Sequence, residues 1–366
     1  DDLSFGAKLD NWRSTPYSKW AFHHVREIVP TADIENKSGL VNDLNLDVQR
    51  FEDLNLEQVM EETETDAIVI AQNNSILFEK YNNGMSEKSP HILFSVSKSI
   101  LGLIVGALIE NKTLKESDLI IKFIPELKMT AYSDATVRDL LDMRVGVKFD
   151  EDYTATTGPI INYRYAANWN PVPAGVEAGD LKSFMGSLTE RDGSHNDRFH
   201  YVSPNTDLLA WVCERASGVR YSDLLSDLLW TPLGAESPGY ITVDRLGGAR
   251  AAGGVCFTGR DLARVGLMIA SYGYANNKQI IPEVWIDDII QNGSDTAWQE
   301  RIGMDEFGNM PMHYNYTRVL CALTREQQVQ VCVLALGFVL TTLEMQILPL
   351  LPLNVLLLFL QDAFQL

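Results

Sequence analysis

Apolar positions in the first third of the chain follow two patterns in succession. The runs TDAIVIAQ and SILFEKY are short and rich in β-branched and aromatic residues, and Asn73 and Asn74 between them suit the positive φ angles of a tight turn. From residue 97 to 110, apolar residues instead recur at spacings of three and four, which places them on one face of a helix. This part of the chain is predicted to form a β-hairpin and then a helix with a buried face.

Helical periodicity continues in the middle third, where long polar and aromatic loops interrupt it. The runs ATVRDLLDM and SDLLSDLLW bound a segment, residues 136–235, that is predicted to be a helical insertion whose loops wall a pocket. After it, Gly253 and Gly254 predict a break. Thr258 is then suited to be the N-cap of a further helix, with Asp261 in its first turn.

Composition narrows the range of partners. The chain has 366 residues, of which 46% are hydrophobic, and this is enough for a large core. Its formal net charge is −19, from 49 acidic and 30 basic residues, and such a field repels phosphate backbones and anionic lipid heads. Neither a nucleic acid nor a membrane is therefore expected as a partner.

The cysteines and the first residues of the chain give information about the cellular compartment of the protein. The four cysteines show no CxxC spacing, so free, reduced thiols are expected. The opening stretch DDLSFGAKLDNW has neither the basic region nor the apolar region of a secretory signal. A cytoplasmic protein is the simplest expectation, although a leader that had been removed would leave the same sequence.

A serine and a lysine at the start of the predicted helix indicate nucleophilic chemistry. Ser95 and Lys98 are three residues apart, so they share a helix face and their side chains can approach each other. A serine hydroxyl reacts only when a base removes its proton, and burial among apolar neighbours frees a lysine amine to act as that base. The alternative is structural, with Ser95 or Ser97 capping the helix, because a lone S-x-x-K occurs often by chance.

A second motif strengthens the catalytic interpretation. In FHYVSPNTDLLAWV, Tyr201 and Ser203 stand just before another predicted helix. A phenol beside Ser95 and Lys98 would relay protons, and Ser203 would hold the lysine or the substrate. Taken alone, Tyr201 is more simply an aromatic residue that anchors a loop. The two motifs in this order are much less expected by chance than either one alone.

These motifs resemble the serine β-lactamase and penicillin-binding superfamily, and within it the 6-aminohexanoate-dimer hydrolases and family VIII carboxylesterases. The resemblance is carried by SVSKSILGLIVGALIENKTL, LLDMRVGVKFDEDY, YVSPNTDLLAWVCERASG and GGVCFTGRDLARVGLM, among other stretches in the same order. It implies an α/β (α+β) fold of the β-lactamase/transpeptidase type, an antiparallel sheet flanked by helices. Residues 1–135 and 236–366 would form this domain, with residues 136–235 inserted and the active site between the two. It implies neither a cofactor nor a metal.

The resemblance also implies roles for individual residues. Ser95 would be the acylated nucleophile, Lys98 the base, and Tyr201 the proton relay to the leaving amine. Tyr153 falls where amide-hydrolysing members place a tyrosine that hydrogen-bonds the substrate amide, and Trp169 matches a tryptophan of the pocket wall. The implied reaction is acyl transfer through an acyl-enzyme, with the oxyanion held by the Ser95 N–H and a second N–H from a late β-strand.

The chain departs from the family at that late strand. Members carry a Lys-Thr-Gly or His-Gly-type motif there, and no such triplet follows MPMHYNY. Lys37-Ser38-Gly39 has similar letters but is expected to be a surface turn, and His313 has no glycine beside it. The tail VCVLALGFVLTTLEMQILPLLPLNVLLLFLQDAFQL is strongly apolar and unlike the rest of the chain. We hypothesise a changed reading frame after about Thr317, which would make the domain atypical from about residue 318. Two prolines divide this apolar run, which argues against a membrane-spanning helix.

More than one function is compatible with these motifs. A linear amide, such as a short ω-amino-acid oligomer, and a small ester both suit the same nucleophile, and Tyr153 favours the amide. A β-lactamase or D-Ala-D-Ala peptidase would use the same chemistry with a different pocket. A penicillin-binding-like protein with impaired catalysis is the rival interpretation, because the C-terminal motif is missing. Arg164, in a loop that faces the cleft by this resemblance, would favour substrates that carry a carboxylate.

Histidines near residue 200 offer a metal-binding alternative. His195 and His200 are close in sequence to Asp192 and Asp197, but they lack a helical HExxH pattern or paired cysteines. A zinc site is therefore not expected. A homodimer is common in the family, so the resemblance, and no other feature of the sequence, implies a homodimer.

Overall fold

The computed structural model describes residues 6–48 and 56–300, together with the backbone of residues 332–336 and 356–361. These residues contain two main β-sheets and a small two-stranded one. The strands are, in chain order, β1 (Thr31–Ile34), β2 (Asn45–Leu46), β3 (Thr65–Gln72), β4 (Ser75–Tyr81), β5 (His91–Ile92), β6 (Gly239–Thr242), β7 (Val255–Phe257), β8 (Tyr274–Ala275), β9 (Lys278–Gln279), β10 (Cys332–Leu336) and β11 (Leu356–Gln361).

Helices make up most of the remaining structure. The α-helices are α1 (Ser18–Ala21), α2 (Leu56–Glu62), α3 (Val96–Glu110), α4 (Val137–Leu141), α5 (Pro159–Ala166), α6 (Leu181–Ser187), α7 (Ser203–Ser217), α8 (Tyr221–Leu225), α9 (Thr231–Leu233), α10 (Gly259–Ala270), α11 (Glu283–Gln291) and α12 (Asp295–Gln299). A π-helical turn, Ser226–Trp230, joins α8 to α9, and short 3₁₀ turns lie at Val25–Glu27, Ile120–Lys122 and Pro125–Met129. In the described part of the chain, no helix has both the length and the apolar character needed to cross a membrane.

The larger sheet has the strand order β10-β11-β3-β4-β2. Its centre confirms the hairpin expected from the sequence, because β3 and β4 pair antiparallel and Asn73 and Asn74 have φ angles of 48° and 62°. All but the last residue of β3 are buried, and helices α2 and α10 contact this strand. The continuous apolar character of β3 follows from this burial, since a strand covered on both faces has no need of polar positions.

The smaller sheet carries the strand that leads to the candidate site. Its order is β1-β6-β7-β5, and every pairing in it is antiparallel. β5 is only two residues long, and His91 ties it to the core. The ring of this buried residue donates from Nδ1 to the Ile92 carbonyl (2.7 Å) and lies 3.1 Å through Nε2 from the Asp66 carboxylate. These contacts fix the point at which the chain leaves the sheet and enters α3.

The middle of the chain is helical. Helices α4 to α9 all lie in the segment that was expected to be a helical insertion. Two of these helices have side-chain N-caps. Thr136 accepts a backbone N–H from the first turn of α4, and Asp180 accepts backbone N–H groups from the first turn of α6. The division of the chain into two domains stays a prediction.

Several local expectations are met outside the sheets. Thr258 is the N-cap of α10, where its hydroxyl accepts the Asp261 N–H (3.1 Å). Gly39 adopts a φ of 65° in an exposed turn, as expected for Lys37-Ser38-Gly39. Cys213 and Cys256 are free, buried thiols. His313 and the atypical sequence after about Thr317 lie outside the described residues, apart from the backbone of β10 and β11.

Candidate active site

The turn between β5 and α3 positions the first expected site residue. The Leu93 N–H donates to the Val255 carbonyl (2.7 Å), and Phe94 then takes a φ of 40°, which non-glycine residues rarely adopt. The chain reverses there, so that Ser95 occupies the N-cap position of α3, yet the Ser95 hydroxyl makes no capping hydrogen bond within that helix. The Ser97 hydroxyl accepts the Val255 N–H (3.1 Å) and so joins α3 to β7. The interpretation of these serines as helix caps is therefore wrong.

Three of the expected residues meet at this turn. The Ser95 hydroxyl oxygen lies 2.7 Å from the Tyr201 phenol oxygen and 3.1 Å from Lys98 Nζ. The Lys98 amine also donates to the Ala252 carbonyl (2.6 Å). Lys98 and Tyr201 are buried, with 1% and 5% of their surface exposed, whereas Ser95 is half-buried. The serine hydroxyl is thus the accessible member of a buried group of three.

Burial makes Lys98 a base at neutral pH. Loss of hydration disfavours the ammonium and lowers the pKa of Lys98 to about 7, although Glu151 opposes the change by favouring the charged form. Arg250 adds to the lowering and Asp207 opposes it. The Tyr201 ring lies 5.0 Å from Nζ. An amine with this pKa is present in both protonation states near neutrality, as proton transfer to and from Ser95 requires.

Glu151, which the sequence interpretation did not select, binds two of the residues expected to contact the substrate. Its carboxylate accepts the Ser203 N–H (2.5 Å), the Ser203 hydroxyl and the Tyr153 hydroxyl (2.6 Å). The hydroxyl of Ser203 is therefore directed at Glu151, whereas contact with the lysine or the substrate was expected. In the sequence Glu151 stands among three consecutive acidic residues, so no pattern marked it out. Glu151 links the loop that carries Tyr153 to the start of α7.

Trp169 lies next to the residue that precedes the nucleophile. Its ring packs edge to face against Phe94, with centroids 6.2 Å apart, and against Trp12, with centroids 5.4 Å apart. Its indole N–H donates to the Thr242 hydroxyl (3.1 Å) at the end of β6. These contacts place Trp169 beside the Ser95 turn and hold the ring in one orientation. Only 5% of its surface is exposed.

Arg164 lies in helix α5, whereas a loop position was expected, and it adjoins the loop that carries Tyr153. Its guanidinium donates to the Tyr153 carbonyl (3.2 Å), and burial lowers its pKa from the usual value. The side chain is half-buried. The structure therefore brings Arg164 to the loop of Glu151 and Tyr153, and leaves its role toward substrate carboxylates as a prediction.

The histidines considered for zinc make other contacts. His195 Nδ1 accepts the Gly146 N–H (3.1 Å), and Nε2 lies 3.1 Å from the Asp134 carboxylate. His200 is buried, which lowers its pKa. Among the residues that the structure describes, no three His, Cys, Asp or Glu side chains lie close enough together to hold a metal ion.

The chain is similar to known proteins over most of its length. A family model described as Beta-lactamase matches residues 53–295. The 6-aminohexanoate-dimer hydrolase of Paenarthrobacter ureafaciens is 35% identical over 292 residues, which are 79% of this chain and 74% of that protein. The superfamily inferred from the SxxK and YxS motifs is thereby confirmed.

Solved structures agree with this assignment. A Bacillus anthracis protein, provisionally described as a 6-aminohexanoate-dimer hydrolase, superposes with a TM-score of 0.72 at 26% identity, over 78% of this chain and 76% of that one. A penicillin-binding protein homologue from Pyrococcus abyssi has a TM-score of 0.51 at 18% identity, over 66% and 60% of the two chains, which shows a common fold. The β-lactamase/transpeptidase-like fold is therefore confirmed. The chain belongs to the β-lactamase family, and it is a hydrolase of that family.

Proposed function

We propose that this protein cleaves a linear amide, such as a short ω-amino-acid oligomer, or a small ester through an acyl-enzyme on Ser95. The contact of the Ser95 hydroxyl with both Lys98 and Tyr201 carries this proposal. It puts a base and a proton donor within hydrogen-bond reach of one nucleophile. The Paenarthrobacter ureafaciens relative is named as a hydrolase of the 6-aminohexanoate dimer, and two such units are joined by an amide bond.

Acylation begins when the neutral Lys98 amine takes the Ser95 proton as the oxygen attacks the substrate carbonyl carbon. The tetrahedral oxyanion meets the Ser95 N–H at the start of α3, where the helix dipole adds a favourable field. The second N–H expected from a late strand lies outside the described residues. When the carbon–nitrogen or carbon–oxygen bond breaks, Tyr201 gives its proton to the leaving group and regains one from the Lys98 ammonium.

Deacylation uses the same groups in the opposite direction. A water molecule attacks the ester carbonyl of the acyl-enzyme while Tyr201 and Lys98 accept its proton. The bond to the Ser95 oxygen then breaks, the serine regains a proton, and the carboxylic acid is released. The atoms and protons balance without a cofactor, since hydrolysis consumes only water.

Tyr153 supports an amide over an ester. Its hydroxyl hydrogen is donated to Glu151, so its phenol oxygen would meet the substrate as a hydrogen-bond acceptor. An amide substrate presents an N–H to that oxygen, and an ester presents none. A Tyr153→Phe variant should therefore lose about tenfold or more in kcat/KM for an amide, and change less than about threefold for the matching ester. Equal losses for both substrates would assign Tyr153 to the structure of the loop.

Covalent labelling tests the nucleophile directly. A fluorophosphonate probe should add once to the wild-type protein, with loss of fluoride, and the adduct should appear in the intact-protein mass. Ser95→Ala should abolish the adduct, whereas Ser187→Ala, in an exposed serine at the end of α6, should leave it unchanged. A folded wild-type protein that forms no adduct would contradict the proposal and favour a penicillin-binding-like protein with impaired catalysis. Hydrolysis of a β-lactam or a D-Ala-D-Ala peptide in preference to linear amides would assign the same chemistry to a different pocket.

A further inference from the structure

A buried ion pair lies one contact away from the amine of Lys98. A carboxylate oxygen of Asp207 and Nη1 of Arg250 form an ion pair at 2.5 Å, and the two side chains are 0% and 7% exposed. The Tyr163 hydroxyl donates to the same carboxylate oxygen and accepts from Arg250. Burial opposes the charge on Arg250, but the adjacent carboxylate and phenol raise its pKa above the usual value. Arg250 is therefore charged at neutral pH.

The second oxygen of Asp207 reaches the chain segment that contacts Lys98. It accepts the Ala252 N–H (2.8 Å), and the carbonyl of the same residue accepts from Lys98 Nζ (2.6 Å). Asp207 is four residues beyond Ser203 in α7, so the two side chains emerge from one face of that helix. One helix thus orients Ser203 toward Glu151 and Asp207 toward Ala252.

The turn at residues 250–254 has little freedom to place this carbonyl elsewhere. The Gly254 N–H donates to the Arg250 carbonyl (2.7 Å), and the Gly254 carbonyl accepts the Thr242 N–H (2.9 Å) at the end of β6. A Cβ at Gly254 would lie 2.1 Å from the Thr242 hydroxyl oxygen, and one at Gly253 would lie 3.0 Å from the Trp169 ring. Two glycines therefore allow the close approach that brings the Ala252 carbonyl to the lysine.

We propose that Asp207 is a positioning residue for Lys98, acting through the Ala252 carbonyl. A neutral amine has two hydrogens and one lone pair. When the carbonyl accepts one hydrogen, rotation of the amine is restricted and the lone pair can point at the Ser95 hydroxyl, 3.1 Å away. The carboxylate of Asp207 holds the carbonyl in place, and Arg250 holds the carboxylate. This inference rests on the proposed function, because it assigns a role within the proton transfer from Ser95.

The charges around Lys98 give the inference a measurable signature. The amine is faced by Glu151 from the loop before α5, by Asp207 from α7, by Arg250 from the turn before β7, and by the ring of Tyr201. Asp207 favours the ammonium and Arg250 disfavours it. Removing one charge of the pair therefore shifts the protonation of Lys98 in one direction, and removing the other shifts it in the opposite direction.

The test is the pH dependence of the rate constant for fluorophosphonate labelling of Ser95, measured from pH 5.5 to 9.5. In Asp207→Asn the acidic limb of the curve of labelling rate against pH should move to lower pH by about one pH unit. In Arg250→Gln it should move to higher pH by a similar amount. In Asp207→Asn the maximal labelling rate should also fall about tenfold. The asparagine has one acceptor oxygen where the carboxylate has two, so the Ala252 N–H and Arg250 compete for it and the Ala252 carbonyl is held less firmly.

A second buried pair supplies the matched control. Asp261 and Arg264 are joined at 2.9 Å, their side chains are 0% and 2% exposed, and Asp261 also accepts backbone N–H groups. Asp261→Asn should lower the unfolding midpoint without moving the labelling profile. If Asp207→Asn fails to fold, the pH dependence of labelling in Arg250→Gln is the test of the inference. A maximal labelling rate that is unchanged in Asp207→Asn, or a profile that shifts in neither pair variant, would overturn the inference, whereas an unlabelled wild-type protein would overturn the proposed function first.

Discussion

Lys98 is predicted to make the protein less stable in acid than it would be with an apolar residue at the same position. Burial lowers the pKa of Lys98 to about 7, against an ordinary value near 10.5. The unfolded chain therefore binds more protons than the folded one between these two values. The destabilisation is fully present below pH 7, declines between pH 7 and about 10.5, and vanishes above that.

The magnitude follows from the two pKa values. Each tenfold difference in proton affinity is worth about 1.4 kcal/mol, so the full cost is about 5 kcal/mol at pH 6. It declines to about 2 kcal/mol at pH 9 and to less than about 1 kcal/mol at pH 10 by the same relation. A Lys98→Met variant removes this cost but leaves the Ala252 carbonyl without its donor, which costs about 1–3 kcal/mol. The variant should therefore be more stable than wild type at pH 6 by about 2–4 kcal/mol, and less stable at pH 10.

Urea unfolding followed by tryptophan fluorescence at pH 6, 7.5, 9 and 10 measures this difference. Comparing variant with wild type at each pH cancels the titration of groups that both proteins share. Lys182→Met, in a lysine whose side chain is 43% exposed, should show no comparable pH-dependent gain. Fluorophosphonate labelling of Lys98→Met should be lost, which would show that the stability gain is made at the expense of activity. A variant that is less stable than wild type at every pH, by a constant amount, would refute the lowered pKa.

Three further changes test other parts of the site and the fold. Tyr201→Phe should lower kcat/KM by about 10²–10⁴-fold in a steady-state assay while the far-ultraviolet circular dichroism spectrum stays unchanged, because only a proton relay is lost. Gly254→Ala should destabilise the protein by about 1–3 kcal/mol in urea unfolding, since its Cβ would overlap a threonine hydroxyl; Gly186→Ala, in a helix with open space around it, should be neutral or slightly stabilising. Thr258→Ala should lower the unfolding free energy by about 1–2 kcal/mol through loss of the α10 cap, and an unchanged midpoint would contradict that role.

The sequence was sufficient to predict those elements whose structure depends on residues close together in the chain. The hairpin at Asn73 and Asn74 and the cap at Thr258 each depend on residues within a few positions of one another, and the structure confirms both. The proximity of Ser95 and Lys98 also follows from helical spacing alone. The approach of Tyr201 to them was inferred from motif order, and the structure brings its hydroxyl to 2.7 Å from the serine.

Long-range partners could not be predicted, because no spacing in the sequence encodes them. Glu151 and Ser203 are 52 positions apart, and Asp207 and Ala252 are 45 positions apart. Each contact exists only after the loops and helices between them have packed. The positive φ of Phe94 was equally hidden, since a phenylalanine gives no local signal for a backbone conformation that tertiary packing imposes.

Tyr153, which is expected to bind the substrate amide, and the three groups expected to react lie on separate parts of the fold. Ser95, Lys98 and Tyr201 are held at the ends of α3 and α7, whereas Tyr153 belongs to a loop whose residues 156–159 are exposed. Loops of this kind tolerate exchange and insertion, while buried helix ends do not. Libraries for directed evolution should therefore randomise residues 154–157, keep Glu151 constant, and keep Gly158, whose φ of 94° favours glycine. New substrate preferences would then be selected without rebuilding the catalytic machinery.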